Sequence, residues 1–361
     1  MVRRGVLIAC LLLALLISAC GGKELNEERI LASPNFKDGQ VVNREPSEEV
    51  ASKSNIGMLK MFPFIFRMLS SEGKPSTPLP TIKTDLKSLD INDELFVWFG
   101  HSSYMVQSGG KRFLVDPIIN EDGSPIPFIN SPFKGSDIYK PSDIPTIDYL
   151  IVTHNHYDHA AKSTLKAIRD QVGLVICPLG VGKYLVDWGY PADKIVELDW
   201  EESFPLDDGV KIYCLTARHF SMRSTNDRNT TLWASFLLEI AGRKIYFGGD
   251  SGYGQHFKSI GKRFGTIDLA FLENGQYNER WRDHHMMPED TLAAATDLNA
   301  RYLMPVHNSK FKISFHTWNA PMIELAKLPV PDNMTIMRPL IGEVVPLWQD
   351  SYRFKEWWNI D

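Results

Sequence analysis

"IVTHNHYDHAA" (residues 151–161) sets His154, His156, Asp158 and His159 within six positions, directly after an apolar run. In extended chain alternate side chains share a direction, so His154 and His156 point the same way and can grip one ion. Asp158 and His159, past a turn, address a second. Imidazole and carboxylate without thiolate suit zinc, with manganese or iron as the alternatives.

Three further apolar stretches end in a residue of the same kind. "KIYCLTARHF" (211–220) delivers His219, "KIYFGGD" (244–250) delivers Asp250, and "RYLMPVHN" (301–308) delivers His307. Seven candidate ligands thus stand at four strand ends. If those ends share one edge of a sheet, the ligands converge on a single cleft, which is where α/β proteins place their chemistry.

The surrounding pattern predicts the sheets. "ELFVWFG" (94–100) and "SYMVQSGGKRFLVDP" (103–117) read as consecutive strands, the second and third joined by a Gly109-Gly110 hairpin and stopped at Asp116-Pro117. "TLWASFLLEIAGRKIYFGGD" (231–250) repeats the design with a Gly turn and a terminal aspartate. Helical patterns lie between and after them, in "KSTLKAIRDQ" (162–171) and in "PEDTLAAATDLN" (288–299), where Pro288, Glu289 and Asp290 make a helix start. Two β-rich halves with interleaved helices predict an α/β fold of two face-to-face sheets with helices outside, in one domain.

Length and charge narrow the class. A chain of 361 residues that is 43% apolar can bury a large core. Its formal charge of −5 arises from 39 basic and 44 acidic residues, with no block of Lys or Arg to track phosphates, so nucleic acid is not the expected partner. Cys177 and Cys214 sit inside apolar, strand-like runs without a Cys or His at ligand spacing, and are expected as buried free thiols.

The N-terminus reads as an address. Arg3 and Arg4 precede an apolar stretch from Val6 to Ile17, too short to span a bilayer but suited to a secretory signal. Its exit, "LISAC", resembles the bacterial lipobox, which implies cleavage before Cys20 and a lipid on its sulfur. The expected division is therefore a signal peptide (1–19), a tether and N-terminal extension (20–84), and one large α/β domain (85–361), with polar residues from Gly21 to about Glu28 as the tether. Within the extension, "GMLKMFPFIFRML" (57–69) is either a short helix over the core or a lipid-facing surface.

With these motifs on the page, a family is recognisable. "HNHYDH" resembles the signature of the metallo-β-lactamase fold, which implies an αββα sandwich with a binuclear metal cleft. "WFGHSSY", "FLVDPI", "ELDWEESF", "GGDSGYG", "IGKRFGTIDLAF", "YNERW" and "HHMMPED" are similar to segments of N-acylphosphatidylethanolamine-hydrolysing phospholipase D and its bacterial relatives, over roughly residues 85 to 345. The resemblance implies that His154, His156 and His219 hold one metal, that Asp158, His159 and His307 hold the other, and that Asp250 bridges them. It further implies two zinc ions as cofactors, Asp158 and His285 as catalytic residues, Tyr157 and His285 at the substrate, and His101 and Asp116 as residues that orient ligands. The chain departs from the family at "LENGQYNERW", with Glu273 and Asn274 beside the cleft, at Phe220 after His219, and at "VHNSKF" after His307.

The implied activity is a metal-dependent phosphodiesterase that cleaves N-acylphosphatidylethanolamine or a related membrane phospholipid on the head-group side, using a metal-activated water. No Gly-x-Ser-x-Gly elbow argues for a serine nucleophile. A lactone or ester hydrolase on the same fold and a non-catalytic envelope lipoprotein are the alternatives. The expected place is the bacterial cell envelope, anchored to a membrane through Cys20, with a homodimer left open.

Overall fold

Strands buried on both faces make up the centre of the molecule. In the computed structural model, which describes residues 27–45, 70–119, 121–126 and 128–360, a short helix α1 (Glu27–Ala32) leads into a small hairpin of β1 (Phe36–Lys37) and β2 (Gln40–Val41). The first large sheet takes β3 (Leu95–Trp98), β4 (Tyr104–Ser108), β5 (Lys111–Val115), β6 (Ile147–Ile151), β7 (Val172–Pro178) and β8 (Ile195–Leu198). The second takes β9 (Ser203–Asp207), β10 (Val210–Leu215), β11 (Ser235–Ile240), β12 (Arg243–Phe247), β13 (Ile267–Glu273), β14 (Ala300–Val306) and β15 (Thr335–Ile336). A last strand, β16 (Val344–Pro346), returns to pair with β3 and completes seven strands in each sheet.

Side-chain alternation assigns each face. On β5, Phe113 and Val115 enter the core between the sheets while Leu114 turns outward; on β12, Ile245 and Phe247 turn inward and Tyr246 outward. The outer face of the first sheet is covered by α2 (Lys162–Ile168) and α3 (Gly182–Asp187) through Leu165, Ile168 and Leu185. The second is covered by α4 (Gln255–Phe264) and α5 (Pro288–Asp297) through Phe257, Ile260, Leu292 and Ala295. This is the expected αββα sandwich. Between the sheets Phe271 stacks on Tyr104 with ring centres 4.0 Å apart and meets Phe96 edge-on at 5.4 Å. Full burial of each such ring contributes roughly 1.5–3 kcal/mol.

Both hairpins form as the sequence predicts. Gly109 and Gly110 have φ of 56° and 71°, the twisted two-residue turn that matches the strands on either side. The turn at Ala241 and Gly242 is equivalent, with Ala241 held at φ 50°. Helix α5 opens on Pro288, and Asp290 accepts from the Met287 amide at 3.2 Å.

Strand direction then gathers the chemistry. In the first sheet β5 runs parallel to β6, and β3, two antiparallel steps from β5, runs the same way. In the second, β12, β13 and β14 are parallel, and β10 is two antiparallel steps from β12. His101, Asp116, the 154–159 loop, His219, Asp250, Glu273 and His307 all lie at or beyond the C-terminal ends of these strands. They therefore meet at one edge of the sandwich.

The extension is more structured than the sequence suggests. Residues expected to belong to the tether end in α1, where Ile30 is buried, and Leu79 and Leu86 on either side of residue 84 both enter the core. The long-range contacts that fix them, such as the Leu79 amide to the Lys134 carbonyl at 2.8 Å, leave no periodic trace. The signal peptide, Cys20 and the 57–69 segment lie outside the described residues. Among the described residues no helix is long and apolar enough to cross a membrane. Cys177 and Cys214 are buried free thiols, as expected.

One buried amine makes the fold sensitive to pH. Lys310 is fully enclosed, its Nζ donating to the Phe99 carbonyl at 3.0 Å, and burial pulls its pKa down to about 7. A base whose folded pKa lies below its unfolded value of 10.5 binds fewer protons when folded. The penalty is thus complete below pH 7 and is relieved as pH rises from about 7 towards 10.5. Urea titrations at pH 7 and pH 9.5 should show the wild type gaining a few kcal/mol relative to Lys310→Met over that interval. Parallel pH dependence of the two proteins would refute this.

Candidate metal centre

The carboxylate of Asp250 lies between two groups of imidazoles. Its Oδ2 is 3.1 Å from His159 Nε2 and 3.2 Å from His307 Nε2. On the other side it is 3.8 Å from His154 Nε2 and 3.7 Å from His219 Nε2. His156 Nδ1 closes the first group, 2.9 Å from His154 Nε2 and 3.2 Å from His219 Nε2. Asp158 Oδ2 closes the second, 3.7 Å from His159 Nε2 and 3.6 Å from His307 Nε2.

These separations suit ions. Four donors each at the usual bond length from a tetrahedral zinc stand about 3.4 Å from one another. The donor atoms of His154, His156, His219 and Asp250 fall within 4.8 Å of one another, as do those of His101, Asp158, His159 and His307. The fit is also chemical. His159 Nε2, His307 Nε2 and Asp250 Oδ1 are buried without a hydrogen-bond partner, a state that costs about 1–3 kcal/mol per group unless something else binds them.

Hydrogen bonds on the far side of each ring select the useful tautomer. His219 Nδ1 faces the His284 carbonyl at 3.0 Å, and His307 Nδ1 faces that of Gly275 at 3.3 Å. A carbonyl only accepts, so each Nδ1 carries a proton and Nε2 is the nitrogen aimed into the site. His159 Nδ1 meets Asp116 Oδ2 at 2.8 Å, and Asp116 is itself held by the Thr153 amide and hydroxyl. His101 Nε2 bonds Asp158 Oδ2 at 2.9 Å. Asp116 and His101 therefore fix the orientation of His159 and Asp158, as a carboxylate or imidazole does behind a metal-binding side chain.

Electrostatics differ between the groups. Burial holds the His154 and His219 imidazoles well below their usual pKa and lowers His156 to about 4, so all three are neutral, as ligands must be. Burial also lowers His101 to about 3. Burial opposes charge on His159 and His307 as well, but there Asp250 and Asp158 outweigh it. His159 rises well above its ordinary value and His307 to about 10. Asp158 and Asp250 are held well below the carboxylate range against burial, with His159 the strongest partner of each. Two enclosed carboxylates thus call for positive charge between them.

The backbone is strained here. His101, Asp116 and His307 have φ of 54°, 39° and 65°, a region that costs non-glycine residues of order 1 kcal/mol or more and is common at functional sites. Gly275 is needed for a different reason: a Cβ there would lie 2.2 Å from the His307 carbonyl.

The remaining sequence candidates fall around this centre. His285 stacks on His307 with ring centres 5.1 Å apart, and its Nδ1 bonds Glu273 Oε2 at 2.7 Å. Tyr157 donates its hydroxyl to the Arg223 carbonyl at 2.9 Å, and its ring lines a cleft of about 650 Å³ with Tyr184, Trp188 and Arg223. Phe220 packs on His156, its ring centre 4.6 Å away. Sequence reasoning noticed Glu273 only as a departure beside the cleft. It is completely buried, and its carboxylate also receives the Ser251 and Met286 amides at 2.9 and 3.1 Å. Its place as the last residue of β13 was the available signal.

Comparisons agree with this geometry. The Beta-lactamase superfamily domain matches residues 111–308. An uncharacterised protein of Mycobacterium tuberculosis is 34% identical over 91% of this chain and 88% of its own length. An N-acyl-phosphatidylethanolamine-hydrolyzing phospholipase D of Caenorhabditis elegans is 30% identical over 70% of this chain and 76% of its own. Among solved structures, a metallo hydrolase of the archaeon Ignicoccus hospitalis aligns with a TM-score of 0.54 at 20% identity, over 72% of this chain and 99% of its own.

The position of Asp250 between the groups separates two outcomes. Elemental analysis of purified protein should find about two divalent ions per chain; Asp250→Ala should release most of both, and His156→Ala mainly one. Retention of both ions by Asp250→Ala would disprove the shared carboxylate.

Proposed function

The chain belongs to the metallo-β-lactamase superfamily and is a metal-dependent hydrolase, and from that premise we propose that it is a binuclear zinc phosphodiesterase acting on a membrane phospholipid. The substrate is N-acylphosphatidylethanolamine or a close relative, cut on the head-group side to release a phosphatidic acid. The observation that carries this reading is the combination of two imidazole–carboxylate groups sharing Asp250 with 30% identity to the C. elegans phospholipase D across most of both chains.

The metals, when bound, would polarise the phosphoryl oxygens and bring a water towards ionisation at neutral pH. The protein's own residues do the rest. His154, His156, His219, Asp158, His159, His307 and Asp250 hold the ions. His285 donates from Nδ1 to Glu273, and with both ring nitrogens protonated its Nε2 donates to the phosphate as charge develops. A water oxygen adds to phosphorus and the P–O bond to the amino alcohol breaks, the departing oxygen taking a proton. Tyr157 contributes the wall of the adjacent cleft rather than a hydroxyl, since its proton is committed to Arg223.

The rim of the site supports a lipid substrate. Gly123 packs against Asp158, where an added Cβ would come within 3.2 Å of the aspartate's own, and its amide bonds the Asn130 carbonyl at 3.0 Å. Between these closed ends Ile126 and Phe128 stand 53% and 79% exposed. Met222, whose amide bonds Asn155 within the metal loop, and Val42, beside Asn43, are exposed at the same edge. Such a group of apolar tips is suited to lipid. In this reading the chain is anchored in a bacterial envelope through lipidated Cys20.

Two measurements test the proposal. Mass spectrometry after incubation with N-acylphosphatidylethanolamine should show phosphatidic acid and N-acylethanolamine; free fatty acid with a lysolipid, or turnover of lactones alone, would overturn it. Separately, Cys20→Ser should move the chain to the soluble fraction. In that background Ile126→Asp with Phe128→Asp should lower turnover on vesicles several-fold while sparing a short-chain soluble substrate. Membrane retention, or an equal loss on both substrates, would count against the anchor or the rim respectively.

A further inference from the structure

Two residues of the N-terminal arm reach the metal-bearing loops. Asn43 makes a reciprocal pair with the backbone of His219: its Nδ2 donates to the His219 carbonyl at 2.9 Å, and its Oδ1 accepts from the His219 amide at 3.3 Å. Two positions on, Glu45 accepts from the His256 amide at 2.9 Å and lies 3.4 Å from His256 Nδ1. The other nitrogen of His256 is 3.2 Å from Ser251 Oγ. Ser251 directly follows Asp250, and its Oγ accepts from the Arg218 amide at 2.9 Å, the residue before His219. One polar network thus joins the arm to the backbone at His219 and, through His256 and Ser251, to the backbone at Asp250.

Glu45 is built into this place. It lies at the N-terminus of α4, so close to Gly254 that a Cβ there would meet its carboxylate at 2.6 Å. The hydrogen bond with His256 and the amides of Gln255 and His256 hold its pKa down to about 2, against some burial. Asn43 and Glu45 both lie N-terminal to the 111–308 span matched by the superfamily domain, while their partners lie within it.

We propose that Asn43 and Glu45 are positioning residues of the metal centre, which fix His219 and Asp250 in their ligating orientation from outside the superfamily domain. The inference rests on the metal-centre reading above. Neither residue reaches an ion. Each acts by limiting the backbone freedom of a ligand, the kind of support whose removal costs about 10–100-fold in metal affinity.

The test compares Asn43→Ala, Glu45→Ala and Glu45→Gln in the full chain, with Arg29→Ala as the control. Arg29 belongs to the same arm but bonds Glu202 and the Glu197 carbonyl instead of the ligand loops. Zinc affinity is read by competition with a chromophoric chelator, ligand geometry by the visible absorption of the cobalt-substituted protein, and folding by the melting temperature of the metal-free protein. Asn43→Ala and Glu45→Ala should each lose about tenfold or more in affinity and shift the cobalt bands, with little change in metal-free melting. Glu45→Gln, which keeps an accepting oxygen, should recover most of the affinity, and Arg29→Ala should match the wild type. Should Asn43→Ala fail to fold, Asn43→Asp keeps the acceptor and removes the donor, and should give an intermediate loss.

Wild-type affinity and spectrum in both alanine variants would overturn the inference. So would an equal loss in Arg29→Ala, which would make the arm a general stabiliser. A wild-type chain that binds no metal would instead defeat the metal-centre reading itself.

Discussion

A carboxylate with 4% exposure, its Oδ2 set between two groups of imidazoles, is the constraint around which the molecule is arranged. A buried anion is tolerated only where positive charge surrounds it at close range. At Asp250 that charge has to be supplied from both sheets at once. His154, His156, Asp158 and His159 come from the end of the first sheet, and His219, His307 and Asp250 itself from the second. A slip of one sheet over the other by one residue, about 3.3 Å, would exceed the tolerance of a coordination bond many times over. Interlocking rings such as Phe271 between Tyr104 and Phe96 provide the rigidity that a site of this kind needs.

Support around the ligands follows the same logic. Three of the imidazoles are held from the far side of the ring by acceptors of fixed position: His219 by the His284 carbonyl, His307 by that of Gly275 and His159 by the Asp116 carboxylate. Asp116 and His307 themselves sit in left-handed backbone, strain of the kind that collects at functional sites. Glu273 adds a second buried carboxylate on the His307 side, binding both His285 and the amide after Asp250. The energetic burden of these arrangements falls on the packed core beneath them.

How much of this was legible depends on how local each signal is. The 154–159 loop announces itself because its ligands are neighbours in sequence, and Asp250 and His307 are visible because each terminates an apolar strand. His101 and Asp116 enter the expected site only through family resemblance, not through spacing, and they lie against Asp158 and His159. By contrast, Glu273 acts through His285, twelve positions away, and Asn43 and Glu45 act on residues 176 and 211 positions downstream. No periodicity encodes contacts of that range. The order of the extension is hidden for the same reason: α1 and its hairpin are too short to show a pattern, and they gain order only by packing on the body.

That packing has a geometrical consequence for the proposed anchor. Glu27, where α1 begins, lies seven residues beyond Cys20, a span of at most about 25 Å when extended. The arm that starts there runs to Asn43 and Glu45 at the metal edge, where Val42, Met222, Ile126 and Phe128 are also exposed. In the proposed anchored state, a lipid on Cys20 would therefore hold the apolar rim, and the metal cleft behind it, within reach of the bilayer surface. A tether on that edge raises the local concentration of membrane substrate at the cleft; one attached to the opposite edge would have to cross the thickness of the sandwich first. The short arm, the rim and the ligand loops are thus parts of one surface, and the two residues that join the arm to the ligands make the orientation of that surface a property of the metal centre itself.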